Sequence, residues 1–299
     1  MDMLRIEGLY KRFGDKEVLR GMHLSVPEHS VFGFIGKNGA GKTTAMKTVL
    51  GLLRADAGEL WVNGERVIYG NSATNRFIGY LPDVPEFYSF MTAKEYLFFC
   101  GEIAGMKKSE CSARADELLS LVGLRGEEHR IKGYSRGMKQ RLGIAQALLG
   151  KPKLLICDEP TSALDPVGRK EILDILSSLK GETTVLFSTH VLFDVERICT
   201  DVAFLDGGII RACGTLESIK SRYGHKEYFI ETETEGDARA LISALPSLRE
   251  SGARRLVFDE ETLSPLAVMD ALTKSGVVPL RFERAEATLE SLFTEVMEK

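Results

Sequence analysis

Three things are scarce in this 299-residue sequence, and each narrows what the chain can do. No apolar run approaches the ~20 residues a helix needs to cross a bilayer, so any membrane task has to be carried out through another protein. Cysteine is sparse: Cys100, Cys111, Cys157, Cys199 and Cys213 are scattered, with no Cys-x-x-Cys pair. That pattern argues against a disulfide framework or a zinc site and fits reduced thiols in a cytosol. An excess of basic residues is also missing. The net charge is −4, and residues 224–299 carry 9 Lys/Arg against 15 Asp/Glu. Such a balance leaves no footprint for nucleic acid or anionic lipid, and a solvated acidic surface is the simplest reading of the tail. The opening MDMLRIEGLYKRFG has no apolar signal core, so export is not expected. Internal repeats and low-complexity tracts are absent.

What is present is the composition of a soluble globular protein, 44% apolar and 27% charged with a mean hydropathy of −0.06, long enough for roughly two domains. Continuous apolar runs bounded by turn residues recur at 31–36, 77–81, 154–158, 184–189 and 202–206. They suit strands buried on both faces of an α/β sheet. Helices are expected between them. One follows a glycine loop at 43–53. A second, near 93–104, opens on the capping box Thr92-x-x-Glu95. A third, at 166–179, starts at Asp165-Pro166, an N-cap with proline at the first helical position. Between about 84 and 150 there are helical patterns and no convincing strand, as in a helical insertion. After Gly224 the pattern restarts: strands at 227–233, 254–260 and 278–283, helices at 237–248 and 265–276, and a last helix at 287–299. This reads as a second, small α+β domain, 223–299, after a first domain of 1–222.

The chemistry begins at GKNGAGKT, Gly36–Thr43, placed after a strand and before a helix. Its glycines turn successive backbone N–H groups inward as an anion nest, and the helix N-terminus adds partial positive charge. Lys42 can then reach β- and γ-phosphates, and the Thr43 hydroxyl can ligate Mg²⁺. LLICDE ends a strand on Asp158 and Glu159, one acid to hold the Mg²⁺ shell and one to polarise an attacking water. Alone, these motifs say only P-loop NTPase. YSRGMKQR (Tyr134–Arg141) adds a second anion loop, with Ser135 as N-cap and Gly137 beside it. Two anion sites for one nucleotide suggest two copies, each completing the other's pocket.

Taken together the set resembles the ATP-binding cassette of ABC transporters over residues 1 to about 220. The motifs are Walker A GKNGAGKT, signature YSRGM, Walker B LLICDE, the D-loop SALD (Ser162–Asp165) and a switch histidine, His190, in STH. The resemblance implies a mostly parallel α/β core sheet, an antiparallel β subdomain and the helical insertion. It implies ATP and Mg²⁺ held by Gly36, Asn38, Gly39, Ala40, Gly41, Lys42, Thr43 and Thr44, with Thr43, Asp158 and Asp83 toward the metal. Lys42, Glu159 and His190 would be catalytic. Phe13 would stack on adenine, although a hydrophobic strand end explains it too. Ser135, Gly137 and Met138 would meet a partner's nucleotide, and Asp165 would reach across the dimer. The tail resembles the accessory domain of bacterial exporter ATPases, a much less specific match.

Two positions depart from the family pattern. The signature is usually LSGGQ, and Tyr134, Arg136 and Met138 replace its Leu, first Gly and Gln. After the strand IGYLP the family's usual glutamine is replaced by Asp83, which is shorter, ionised and acceptor-only. A carboxylate there is a natural Mg²⁺ ligand, and it repels Asp158, Glu159 and a γ-phosphate when no metal is bound. Phe87 and Tyr88, with Phe90, Tyr96, Phe98 and Phe99 nearby, lie where the family receives its membrane subunit; the insertion's own core is expected to claim Phe98 or Phe99. The expected function is therefore the ATPase subunit of an ABC exporter, cytoplasmic and peripheral on the inner face of the membrane. Its partners would be itself or a paralogue and a separate permease, with no nucleic acid. A soluble nucleotide-sensing or regulatory cassette is the alternative.

Overall fold

The computed structural model describes residues 1–71, 73–223, 227–284, 289–290 and 292–293. It divides into two compact units, Met1–Leu216 and Glu217–Lys299, whereas the sequence pattern broke at 222/223. In the first unit a four-stranded antiparallel sheet has the order β2–β1–β4–β5, formed by β1 (Asp2–Phe13), β2 (Lys16–Pro27), β4 (Ala57–Val62) and β5 (Glu65–Arg66). Asn63 and Gly64 join β4 to β5 with φ of 49° and 78°, the left-handed pair that a two-residue hairpin turn requires.

The second sheet has the order β10–β9–β3–β8–β7–β6, built from β3 (Val31–Ile35), β6 (Ile78–Leu81), β7 (Leu154–Asp158), β8 (Thr184–Thr189), β9 (Asp201–Asp206) and β10 (Ile209–Thr215). All its neighbours are parallel except β9 and β10. Every residue of β3, β7 and β8 is buried, as strands covered on both faces must be. Helix α1 (Lys42–Val49) sends Met46 and Val49 into a core shared with Leu4 and Ile6 of β1, Met22 of β2 and Phe32 and Phe34 of β3. The two sheets are thereby joined through the helix that carries the glycine loop. Burying a side chain such as Met46 contributes about 1.5–3 kcal/mol, so the loop's helix is firmly seated.

Three helices occupy the stretch after β6. They are α2 (Ala93–Ile103), α3 (Lys108–Leu121) and α4 (Arg136–Ala147). The capping box at α2 is formed, Thr92 accepting from the Glu95 N–H and Glu95 from the Thr92 N–H. Along α2 it is Tyr96 and Leu97 that are buried, while Phe98 and Phe99 are only partly covered. That corrects the expected core residue, because the face through Ala93, Tyr96, Leu97 and Gly101 turns inward. Next come α5 (Pro166–Ser178), α6 (Leu192–Ile198) and α7 (Leu216–Tyr223). Among the described residues no helix is long and apolar enough to cross a membrane.

The second unit holds a sheet of order β12–β13–β11–β14: β11 (Glu227–Glu231), β12 (Arg249–Gly252), β13 (Arg255–Asp259) and β14 (Arg281–Arg284). All its pairings are antiparallel. Helices α8 (Glu235–Ala244) and α9 (Pro265–Ser275) cover it, with Ile230, Leu241, Leu256, Phe258 and Val268 in a common core. The expected last helix, 287–299, lies for the most part outside the described residues.

Candidate functional site

The glycine loop, the acid pair, His190 and Asp83 gather at the carboxyl ends of four adjacent parallel strands, β3, β8, β7 and β6, the end where ligands of α/β sheets collect. The glycine loop leaves β3, the acid pair ends β7, His190 follows β8 and Asp83 follows β6. Together they line one cleft of about 500 Å³ whose walls include Asn38, Gly39, Gly41, Lys42, Thr43, Thr44, Asp83, Asp158, Glu159 and His190. Gly41, at the mouth of α1, has φ of 112°, and a Cβ there would lie 2.8 Å from Leu19 Cδ2. Only glycine fits that turn.

Within the cleft the charges form a short chain. Lys42 is buried and donates from Nζ to the Gly36 carbonyl at 2.6 Å, with the Lys37 carbonyl at 3.4 Å. The same ammonium lies 3.0 Å from Glu159 Oε1, and Glu159 Oε2 lies 3.0 Å from His190 Nδ1. Glu159 thus bridges a lysine and a histidine. Its backbone has φ of 47°, a left-handed conformation costing a non-glycine residue about 1–2 kcal/mol; strain of this kind is held where the surroundings over-determine it. Next to it, Asp158 accepts from Thr43 Oγ1 at 2.6 Å and from Ser188 Oγ at 2.6 Å. Burial, with Asp158, Cys157 and Asp83 nearby, pushes the Tyr80 phenol up to about 12.

Ser135 caps α4 by accepting from the Met138 N–H at 3.2 Å. It lines a second, separate cleft of about 240 Å³ with Arg136, Gly137, Ala163, Leu164 and Asp165. Asp165 accepts from the Gly168 N–H at 3.2 Å as the cap of α5. The signature residues Ser135 and Gly137 are therefore together with Ala163, Leu164 and Asp165 of the D-loop in a cleft of their own, whereas Ser162 at the start of the D-loop lines the glycine-loop cleft. Phe13 lies outside both sets, about half exposed at the end of β1 with Lys11 Nζ 5.4 Å from its ring centre. Gly36 and Ala40 do not line the cleft. Phe87 packs edge-on against Tyr96 at 5.1 Å between ring centres, and Tyr88 meets Phe99 at 5.5 Å and Phe90 at 5.9 Å. Tyr88 and Phe90 stay more than half exposed.

Two supports of this site are not among the residues the motifs single out. Ser188 ties the two acids together, donating to Asp158 and accepting from the Glu159 N–H at 3.0 Å; a hydroxyl at the buried end of TVLFST was its signal. Asp194, fully buried in the first turn of α6, accepts from Thr161 Oγ1 at 2.7 Å and faces Arg169 Nε at 3.9 Å. It holds the turn between Glu159 and α5 from behind. A larger cleft of about 1010 Å³ lies by Arg114, Lys151, Lys153 and Glu182, and none of the motif residues lines it.

A glycine loop opening a helix beside a strand that ends in an acid pair defines a P-loop protein built to bind a nucleoside triphosphate. Comparison with known proteins narrows the class. The ABC transporter family model matches residues 19–162. The ABC transporter ATP-binding protein YxlF of Bacillus subtilis is 39% identical over 99% of both chains. The daunorubicin resistance ATP-binding protein DrrA3 of Streptomyces coeruleorubidus is 33% identical, over 97% of this chain and 94% of its own. A solved ATP-binding subunit of an ABC transporter superposes with a TM-score of 0.66 at 32% identity, covering 74% of this chain and 93% of that one. The chain belongs to the ABC transporter ATP-binding proteins and is an ATPase.

Proposed function

We propose that this chain drives an exporter whose membrane-spanning part is a separate protein. Two copies, or one copy and a paralogue, would close face to face around two molecules of ATP. The observation that carries this reading is the separation of the two anion loops. One chain presents a glycine-loop cleft and, elsewhere, a Ser135–Gly137 cleft that includes Asp165. Each makes sense as half of a nucleotide site completed by a second molecule. Gly36, Asn38, Gly39, Ala40, Gly41, Lys42, Thr43 and Thr44 would hold the phosphates of one nucleotide, with Phe13 against its adenine. Ser135, Gly137, Met138 and Asp165 of the other copy would close over it.

Among the described residues no three His, Cys, Asp or Glu side chains converge as a metal cluster. Thr43 and Asp158 do face each other at 2.6 Å beside Asp83 in the same cleft. A hydroxyl with one or two carboxylates, leaving room for phosphate oxygens, is the donor set that suits Mg²⁺. Bound there, the cation would neutralise charge on the phosphates. Glu159 would take up the proton of an attacking water, and His190, 3.0 Å from it, would orient that carboxylate and face the terminal phosphate.

Tyr88, exposed beside Phe87 and Phe90, would dock the membrane subunit, an aromatic anchor at a surface loop being a common form of protein contact. The chain would then sit at the inner face of the membrane through that subunit. Residues 223–299 would form an accessory α+β domain. The resistance relative supports export as the direction. Co-expression with the membrane protein tests the reading: the pair should copurify and hydrolyse ATP, with turnover abolished by Glu159→Gln. Absence of turnover even in the complex would refute it and favour a nucleotide-sensing role.

A further inference from the structure

The two departures from the family pattern, Asp83 and Arg136, meet in space. Residues 81–85 run along one face of α4, and positions 136, 140 and 143 of that helix share the face at helical spacing. At Gly143 an added Cβ would fall 2.5 Å from Leu81 Cδ1 and 3.3 Å from Pro85 Cβ, so helix and loop are in close contact. One turn earlier the fully buried Gln140 donates from Nε2 to the Asp83 carbonyl at 2.8 Å. A further turn earlier, Arg136 Nη2 stands 3.7 Å from Asp83 Oδ1. That oxygen is shielded from solvent and accepts no hydrogen bond from the described groups, so the guanidinium is its electrostatic partner. Asp83 lines the glycine-loop cleft, whereas Arg136 lines the second cleft with Ser135, Gly137 and Asp165. One ion pair has an end in each.

We propose that the Asp83–Arg136 pair links the chain's own nucleotide pocket to the anion loop it offers to a second copy. The proposal rests on the shared-site reading above and deepens it. In a single chain Arg136 offsets the charge of Asp83, which would otherwise repel a triphosphate lying beside Asp158 and Glu159. In the pair of chains, a phosphate reaching the Ser135 loop competes with Asp83 for the guanidinium, whose planar fork suits phosphate. Occupancy of one site is thereby felt at the other, and by linkage the effect is reciprocal. Both side chains are nearly half exposed, so solvent screening limits the effect to about two- to five-fold in a binding constant. Arg136 is a positioning residue in this scheme, acting on nucleotide through Asp83 in its own pocket.

The test is a double-mutant cycle on the full chain, using Arg136→Gly, Asp83→Asn and the double variant. Binding of the β,γ-imido analogue of ATP is measured in EDTA, at chain concentrations where sedimentation shows a monomer. Arg136→Gly should weaken binding two- to five-fold in the native background and leave it unchanged in the Asp83→Asn background. Arg136→Lys, which keeps the charge, should recover part of the loss. An equal effect in both backgrounds, or none in either, would overturn the proposal. If the cycle couples but no nucleotide-dependent dimer forms at high concentration, the shared-site reading fails and the intersite half of the proposal falls with it. Thermal unfolding of each variant separates these outcomes from misfolding.

Discussion

Glu159→Gln should do two things at once, and the pairing of effects is the informative part. The carboxylate takes a 3.0 Å contact from the buried Lys42 ammonium and another from His190. A phosphate entering the glycine loop must compete for that same ammonium. Lys42 and Glu159 form an ion pair in which Oε1 accepts no hydrogen bond from the described groups, and interactions with a charged group exceed those with a neutral one by about 1–2 kcal/mol. Glutamine keeps the shape and loses the charge, so the competitor weakens by about 1–2 kcal/mol, or about 5- to 30-fold in ATP affinity. Turnover should meanwhile fall at least ~100-fold, because the amide cannot accept a proton from water. Equilibrium binding by calorimetry and phosphate release on the same preparation measure both. Unchanged or weaker binding would show that Lys42 is not restrained by Glu159, and turnover within about tenfold of native would remove Glu159 from the chemistry.

Three further outcomes are expected. Asp83→Gln should hydrolyse ATP at lower Mg²⁺ than the native chain, because glutamine adds no charge that the cation must neutralise; identical Mg²⁺ titrations would refute the assignment of Asp83 to the metal side. Gly79→Ala should destabilise the first unit by about 3 kcal/mol, since its Cβ would lie 2.1 Å from the Ala147 carbonyl oxygen; a shift below ~0.5 kcal/mol in denaturant unfolding would contradict that packing. Burial raises the Asp194 carboxyl above its ordinary 3.8, against the opposing pull of Thr161, Arg169, Arg197 and His190. The folded chain then holds that proton more tightly than the unfolded one, so stability falls as pH rises from 3.8 toward the raised value. Asp194→Asn should flatten that part of the stability profile, and an unaltered slope would count against the burial argument.

How much of this could be read from the chain depended on how local each signal was. Strands β3, β7 and β8 were legible because both faces are buried, which leaves an unbroken apolar run. The starts of α2, α4 and α5 were legible from Thr92, Ser135 and Asp165, each of which accepts a backbone N–H in the structure. Strands β1 and β2 gave no such signal and entered only through the family resemblance. In β1 the pairing shifts register between Asp2 and Leu4, Ile6 and Leu9, Leu9 and Tyr10, and Lys11 and Arg12, which breaks the two-residue period there; in β2 only the short stretch Met22, Leu24 and Val26 keeps it. β12 is exposed along its whole length and has no apolar side to betray it.

At the site, the glycine loop and the acid pair are contiguous stretches whose chemistry is visible in a few residues. The contacts of Lys42 with Glu159, of Glu159 with His190 and of Ser188 with the two acids arise where α1 and the ends of β7 and β8 meet. Asp194 reaches Thr161 and Arg169 from α6. None of these can be read from one segment. The Asp83–Arg136 pair is the clearest case. Each residue stood out alone as a departure from the family pattern, and only the packing of α4 on residues 81–85 brings them together.

One chain's glycine loop should work only with another chain's signature. Lys42→Ala disables the first and Gly137→Asp the second; a Cβ at Gly137 meets nothing closer than 3.9 Å, so the fold should accept the aspartate while its charge repels phosphate. Neither variant alone should hydrolyse ATP. Mixed, each pair of unlike chains holds one native glycine loop facing one native Ser135–Gly137 loop, and turnover should reappear. A mixture as inactive as its two components would contradict the shared site.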